Sequence, residues 1–165
     1  METTYGASLQ LARKFAFFAI GAFTANTTVT PVARFGCVPG VGKMRILGIH
    51  ILCDTIPADA DGTMLLNALV KDISEGADDT LVSSENLETL VAAANKWYEA
   101  TLAADGTEKI RTLETGDSLR FTLVSNSAAV DTNPQVHICV EYILLPRNQS
   151  EETEIPKYVG RESQY

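Results

Sequence analysis

Gly116–Pro146, GDSLRFTLVSNSAAVDTNPQVHICVEYILLP, is the stretch that decides the fold. Gly116-Asp117 is a turn signal that launches a strand. From there Leu119, Phe121 and Leu123 point one way and Ser118, Arg120 and Thr122 the other, the period-two pattern of a half-buried strand. A second strand is expected over about 136–145. Val136, Ile138, Val140, Tyr142 and Leu144 share one face, and His137, Cys139 and Glu141 share the other. Pro146 cannot donate to a ladder and stops it. On this pattern Asp117, Arg120, His137 and Glu141 take outward or turn positions around an apolar core. The stretch reads as a strand pair that serves as scaffold and carries no catalytic constellation.

The surrounding chain continues the theme. Phe15–Phe23 reads as a strand that is apolar on both faces, so it needs cover on two sides. A subunit contact or a central place in a two-layer core would each supply it. Val29–Val38 is a strand interrupted by Pro31, which suggests an edge or a bulge. Lys43–Asp54 is a strong strand, and after a polar turn over 56–62, Thr63–Ile73 reads as its partner. Residues 74–80 read as an acidic loop. Leu87, Leu90, Val91 and Ala94 then fall on one helical face, with Ser83 or Ser84 as N-cap, which predicts a short helix over about 84–94. Trp97–Ala103 returns to strand, and Asp105-Gly106 turns the chain into Lys109–Leu113.

About eight strands, frequent turn signals and one short helix give an all-β chain: an antiparallel β-sandwich, jelly-roll-like. Residues 1–12 read as an N-terminal arm, 13–146 as a single sandwich domain, and 147–165 as a polar C-terminal tail. At 165 residues the chain is long enough to build its own core.

The net charge of −8 argues against a nucleic-acid partner, because phosphate binding needs a basic surface. Residues 1–50 carry Arg13, Lys14, Arg34, Lys43 and Arg45 against Glu2, a balance of +4, which leaves −12 for the remainder. Either the basic end meets an acidic partner or the asymmetry is accidental. Cys37, Cys53 and Cys139 are widely spaced and set among apolar residues, which predicts buried free thiols. The apolar run within KFAFFAIGAF is too short to span a bilayer and lacks a convincing cleavage site, so no membrane partner and no signal peptide are expected. The chain is expected to be soluble and made in a reducing cytoplasm.

Each chemical motif has a plainer explanation. Gly36–Lys43 suggests a phosphate loop, but five residues stand before the Gly-Lys pair where the pattern needs four, Met44 replaces the magnesium-binding Ser or Thr, and a strand follows. Asp59 and Asp61 before Gly62 are a fragment of a calcium loop without the downstream Glu. His50, His137 and Glu141 could bind a metal only if their strands were neighbours. No Ser lies in a nucleophile elbow. Trp97-Tyr98 could form a sugar-stacking platform, but such a pair more often belongs to a core. No cofactor is expected, and no catalytic or metal residue is assigned.

Four segments, GDSLRFTLVSNS, ADADGTMLLNALVKD, SSENLETL leading into KWYEATL, and VHICVEYILLP, together resemble the capsid decoration (cement) proteins of tailed bacteriophages. The resemblance covers roughly residues 41–146. It implies a jelly-roll-like sandwich, often a homotrimer, on the outer capsid surface of the virion. There it would clamp neighbouring copies of the major capsid protein, with no enzymatic activity. Phe15, Phe17, Phe18 and Phe23 are the candidates for the oligomer or capsid contact. A carbohydrate-binding or host-attachment (head-fibre) module is the alternative. It requires an exposed Trp97, whereas a decoration protein should hold Trp97 in its core or in an interface.

Overall fold

The computed structural model describes residues 13–23, 27–37, 42–60, 62–73, 76, 78–104, 110–126 and 131–145. The expected arm, the tail, Asp61, most of the glycine loop after Cys37 and the Asp105-Gly106 turn lie outside these residues. The strands are β1 (Lys14–Gly21), β2 (Thr27–Gly36), β3 (Lys43–Cys53), β4 (Met64–Lys71), β5 (Asp78–Asn86), β6 (Trp97–Glu99), β7 (Thr112–Leu113), β8 (Ser118–Ser125) and β9 (Val136–Leu145). One helical turn, α1 (Leu87–Leu90), follows β5.

Two antiparallel sheets form, in the orders β1-β9-β3-β6 and β2-β8-β4-β5, with β7 also pairing β3. Both β6 and β7 run along β3, the first at His50–Leu52 and the second at Met44–Arg45. They therefore share one edge position, and among the described residues they pair with β3 and not with each other. Counted this way the pairing is nested: β1 with β9, β2 with β8, β3 with β6 and β7, β4 with β5. A single long antiparallel hairpin rolled into two layers gives this wiring, which is that of a jelly roll.

Two expected pairings change. β3 and β4 lie in different sheets and are not partners. Likewise β8 and β9 do not pair; each is an inner strand of its own sheet, flanked on both sides. Local pattern gives each strand's buried face, but partner choice is set by the whole roll. The buried faces themselves follow the alternation. Leu119, Phe121, Leu123, Val136, Ile138 and Val140 are fully buried, and Tyr142 and Leu144 pack against the same core. β8 and β9 thus contribute to one core from opposite sheets.

Residues 78–80, expected as loop, begin β5 against Lys71–Leu69. The strand persists to Asn86, so the helix starts later than expected and lasts one turn. Asn86 is its cap, accepting from the Glu88 N–H at 2.9 Å. Leu87 and Val91 are buried as the helical pattern requires, but Val91 is already extended and Ala94 is exposed.

Asp117 corrects the simple alternation. Its carboxylate is buried, accepting the Ile73 N–H at 3.1 Å and the Glu114 N–H at 2.7 Å. It ties the loop after β4 to the turn before β8. Gly116 beside it has φ +98°, and a Cβ there would lie 3.2 Å from Ile73 Cγ2. A side chain would be strained at this position.

Candidate functional site

Among the described residues β1 supplies an unusual surface, and its alternation explains why. Ala16, Phe18 and Ile20 turn toward the core; Phe15, Phe17 and Ala19 turn out. Phe18 stacks edge-on against Phe35 and sits 6.3 Å from the Phe121 ring centroid. Phe23 is buried, and the Asn133 side chain holds its backbone, accepting from the N–H at 2.7 Å and donating to the C=O at 2.6 Å. Of the four candidate aromatics, Phe18 and Phe23 therefore serve the chain's own core. Phe15 and Phe17 remain 52% and 67% exposed.

The register of the sheet shows what lies beside them. Phe17 is opposite Cys139, which is opposite His50, which is opposite Glu99. One row along, Ala19, His137, Leu52 and Trp97 line up. Phe15 begins a third row with Glu141 and Gly48. The outer face of this sheet is thus aromatic at both edges, with Cys139, His50, His137, Glu141, Gly48 and Leu52 in the middle.

Trp97 belongs to this face and not to the core; it is 42% exposed. β1 and β6 are separated by β9 and β3, about 14 Å at ordinary strand spacing. Even so, the rings of Phe17 and Trp97 approach edge-to-face with centroids 6.1 Å apart. They lean over the middle strands and roof them. Beneath lie two shallow apolar depressions, one lined by Phe15, Phe17, His50, Trp97 and Cys139, the other by Phe17, Ala19, Leu52, Trp97 and His137 among others. Cys139 is buried under this roof although its side chain points outward.

The polar centre is compact. Glu141 is buried and binds Arg13 at 2.7 Å and His50 Nε2 at 3.3 Å. Gly48 makes room for it. A Cβ there would stand 3.0 Å from His50 Nε2 and 3.5 Å from both Glu141 Oε2 and Glu99 Oε1. The sequence condition for a His–Glu cluster is met, since β3 and β9 are neighbours and bring His50 onto Glu141. His137 lies two rows from Glu141, level with Ala19 and Leu52. Among the described residues no group of three or more His, Cys, Asp or Glu is placed to hold a metal ion.

The remaining candidates have structural tasks. All three thiols are buried and unpaired. Burial first, and Glu141 second, pushes the Cys139 thiol up; burial and then Asp54 pushes Cys53 up to about 12. Burial, then Asp117 and Glu114, raises Cys37. Such thiols stay protonated at neutral pH and are poor nucleophiles. In the loop after β3, the Glu88 carboxylate accepts the Asp59 N–H at 2.7 Å and Asp131 accepts the Ala60 N–H at 3.0 Å. These carboxylates staple the loop. No described helix is long and apolar enough to cross a membrane.

The chain matches no protein family profile and no curated protein. Among solved structures it is similar to a chain in the capsid asymmetric unit of cyanophage Pam1, with 24% identity and TM-score 0.43 over 88% of this chain and 100% of that one. It is also similar to a chain in the capsid of Ralstonia phage GP4, with 11% identity and TM-score 0.46 over 88% of this chain and 92% of that one. A third likeness is to a chain of infectious bursal disease virus, Gx strain, with 10% identity and TM-score 0.38 over 81% of this chain and 37% of that one. All three TM-scores lie below 0.5.

Proposed function

We propose that this protein is a structural component of a bacteriophage particle. It binds the outer surface of the capsid as an oligomer, contacts the major capsid protein and stabilises the lattice without catalysis. The observation that carries this reading is the outward face of Phe15, Phe17 and Trp97 on one sheet. Isolated apolar residues on a surface need no explanation, but an aromatic cluster across one sheet face marks a contact site. Aromatic anchors are the side chains that dominate binding energy in protein interfaces. The segments that resemble decoration proteins supply the partner class, and that resemblance implies an oligomer, often a trimer.

Co-sedimentation with purified, expanded empty capsids tests the reading. The wild-type chain binds saturably, and Trp97→Ala together with Phe17→Ser abolishes binding while the fold survives. Failure of the wild-type chain to sediment with capsids refutes it.

One observation favours a second reading. Trp97 is exposed, as a carbohydrate-binding or host-attachment module requires. Phe17 meets its ring edge-on, so a sugar would have to stack on the remaining face. A glycan array with the wild-type chain and Trp97→Ala decides it: retention of a glycan that the variant loses favours this module.

A further inference from the structure

The outer face of the second sheet bears charge where the first bears aromatic rings. Phe35, Leu119, Phe121 and Val70 turn inward, so Arg34, Arg120 and Lys71 turn outward. The register sets Arg34 directly opposite Arg120, with Leu69 and Thr80 completing the row. Gly36, Ser118, Lys71 and Asp78 form the next row. Like charges directly opposite each other destabilise a strand pair, and an anion shared between them offsets the repulsion. Asp78 is the one acid in these two rows. It stands 3.8 Å from both Arg120 Nη1 and Lys71 Nζ, too far for a hydrogen bond. Arg120 Nε is buried without a hydrogen bond among the described residues. Arg34 is exposed and enters no ion pair among them. Three cations against one carboxylate leave +2 here, on a chain of net charge −8.

We infer that Arg34 and Arg120 form a carboxylate-binding site, and that its occupant is the chain's own acidic segment, Glu151, Glu152 and Glu154. Position supports this occupant. Leu145, the last described residue, lies opposite Lys43 at the start of β3. Lys43 follows Gly42, whose carbonyl accepts from Cys37 Sγ at 2.9 Å, and Cys37 directly follows β2. β9 therefore finishes at the same end of the sandwich as Gly36 and Ser118. From there Arg34 and Arg120 are two residues along their strands, about 7 Å. With roughly 10 Å between packed sheets and about 5 Å for one strand spacing, the span from Leu145 to the cluster is on the order of 20–25 Å. Glu151 and Glu154 lie six and nine residues beyond Leu145, a reach of about 20–30 Å in extended chain. Charge supports it too. Residues 149–156 hold three carboxylates and no base. Cations closer to Leu145 are engaged: Lys43 with Glu114 and Arg13 with Glu141, and Arg45 has a partner as well. The planar fork of an arginine takes a carboxylate through two parallel N–H bonds, and Lys71 beside it adds a further positive charge. Seated there, the acidic segment straps the end of the sandwich from one sheet to the other and lies away from Phe15, Phe17 and Trp97.

This site lies on the sheet opposite the aromatic face and is independent of capsid binding. Zero-length carbodiimide cross-linking of the full chain, read by peptide mass spectrometry, tests it. Lys71 joins Glu151, Glu152 or Glu154 through an amide, and the Lys43–Glu114 pair serves as the internal standard. Arg34→Gln lowers the Lys71 product about three- to fivefold against that standard, the loss of one exposed charge pair. Salt at about 1 M lowers it as well, by screening. Lys14→Gln, at the same end but on the first sheet, leaves it unchanged. Mixing isotope-labelled with unlabelled chains gives products within one chain only. Should Arg34→Gln misfold by circular dichroism, the combined Glu151→Gln, Glu152→Gln and Glu154→Gln variant replaces it, and the side-chain N–H resonances of Arg34 and Arg120 shift on that change. Absence of the Lys71 product where Lys43–Glu114 forms, a yield untouched by Arg34→Gln, a yield lost in Lys14→Gln, products that join two chains, or arginine resonances indifferent to the three glutamines overturns the inference.

Discussion

Replacing Phe17 with Ser separates the surface role of β1 from its structural role. Phe17 is 67% exposed, so most of its burial is still to be gained on binding. Complete burial of a Phe side chain contributes about 2–3 kcal/mol, and the exposed two-thirds therefore about 1.3–2 kcal/mol for each contact. At 1.4 kcal/mol per decade, capsid affinity should fall about ten- to thirtyfold per site. The fold should lose less. The Ser side chain meets solvent on one side and the Trp97 ring on the other, and the lost edge-to-face contact is worth about 0.5–1.5 kcal/mol. The assay is a binding isotherm on expanded capsids beside a urea melt of the same preparation. The reasoning is refuted if affinity is unchanged, or if the melt shifts by as much as it would for a core substitution.

Three further outcomes follow from the interior. Phe121 is fully buried between the sheets, and Phe121→Ala should destabilise the fold by about 3–5 kcal/mol, read as a lower urea midpoint with the slope unchanged. Asp117→Ala leaves the Ile73 and Glu114 N–H groups without their acceptor and should cost about 1–3 kcal/mol for each, while Asp117→Asn, which retains one acceptor, costs less. Cys53 gives a pH dependence whose sign is fixed. Its folded pKa is raised to about 12, so the folded state holds the proton more tightly than the unfolded chain. That contribution is complete below about pH 8.5, the ordinary thiol value, and is lost as pH rises toward 12. The thermal midpoint should decline across this alkaline window, and Cys53→Ala should flatten the decline.

Much of the fold was legible because burial faces are local. Alternation along 118–125 and 136–145 identified the buried sets, and Pro31 correctly marked an edge strand with a register break. Partner choice was not legible. Lys43–Asp54 and Thr63–Ile73 look like a hairpin from their proximity in sequence, yet they lie in different sheets because the chain rolls as one nested hairpin. The strand at 78–86 was hidden by its acidic start, since polar residues suit an edge strand as well as a loop. The candidate site was half visible. Phe15 and Phe17 announced a surface by giving β1 two apolar faces. Trp97 joined them only through a contact spanning 80 residues, over Cys139 and His50. Asp117 was placed at the turn before β8, as found, but its burial and its bond to Ile73 were not legible, because a turn residue and a buried backbone acceptor look alike in one sequence.

Oxidative footprinting of the protein free and bound to capsids tests the central claim most directly. The account predicts that Phe15, Phe17 and Trp97 are readily oxidised in the free protein and become protected together on the capsid, while exposed Ile73, on the loop after β4, keeps its reactivity. Protection of Ile73 with the three aromatic rings still reactive would contradict it.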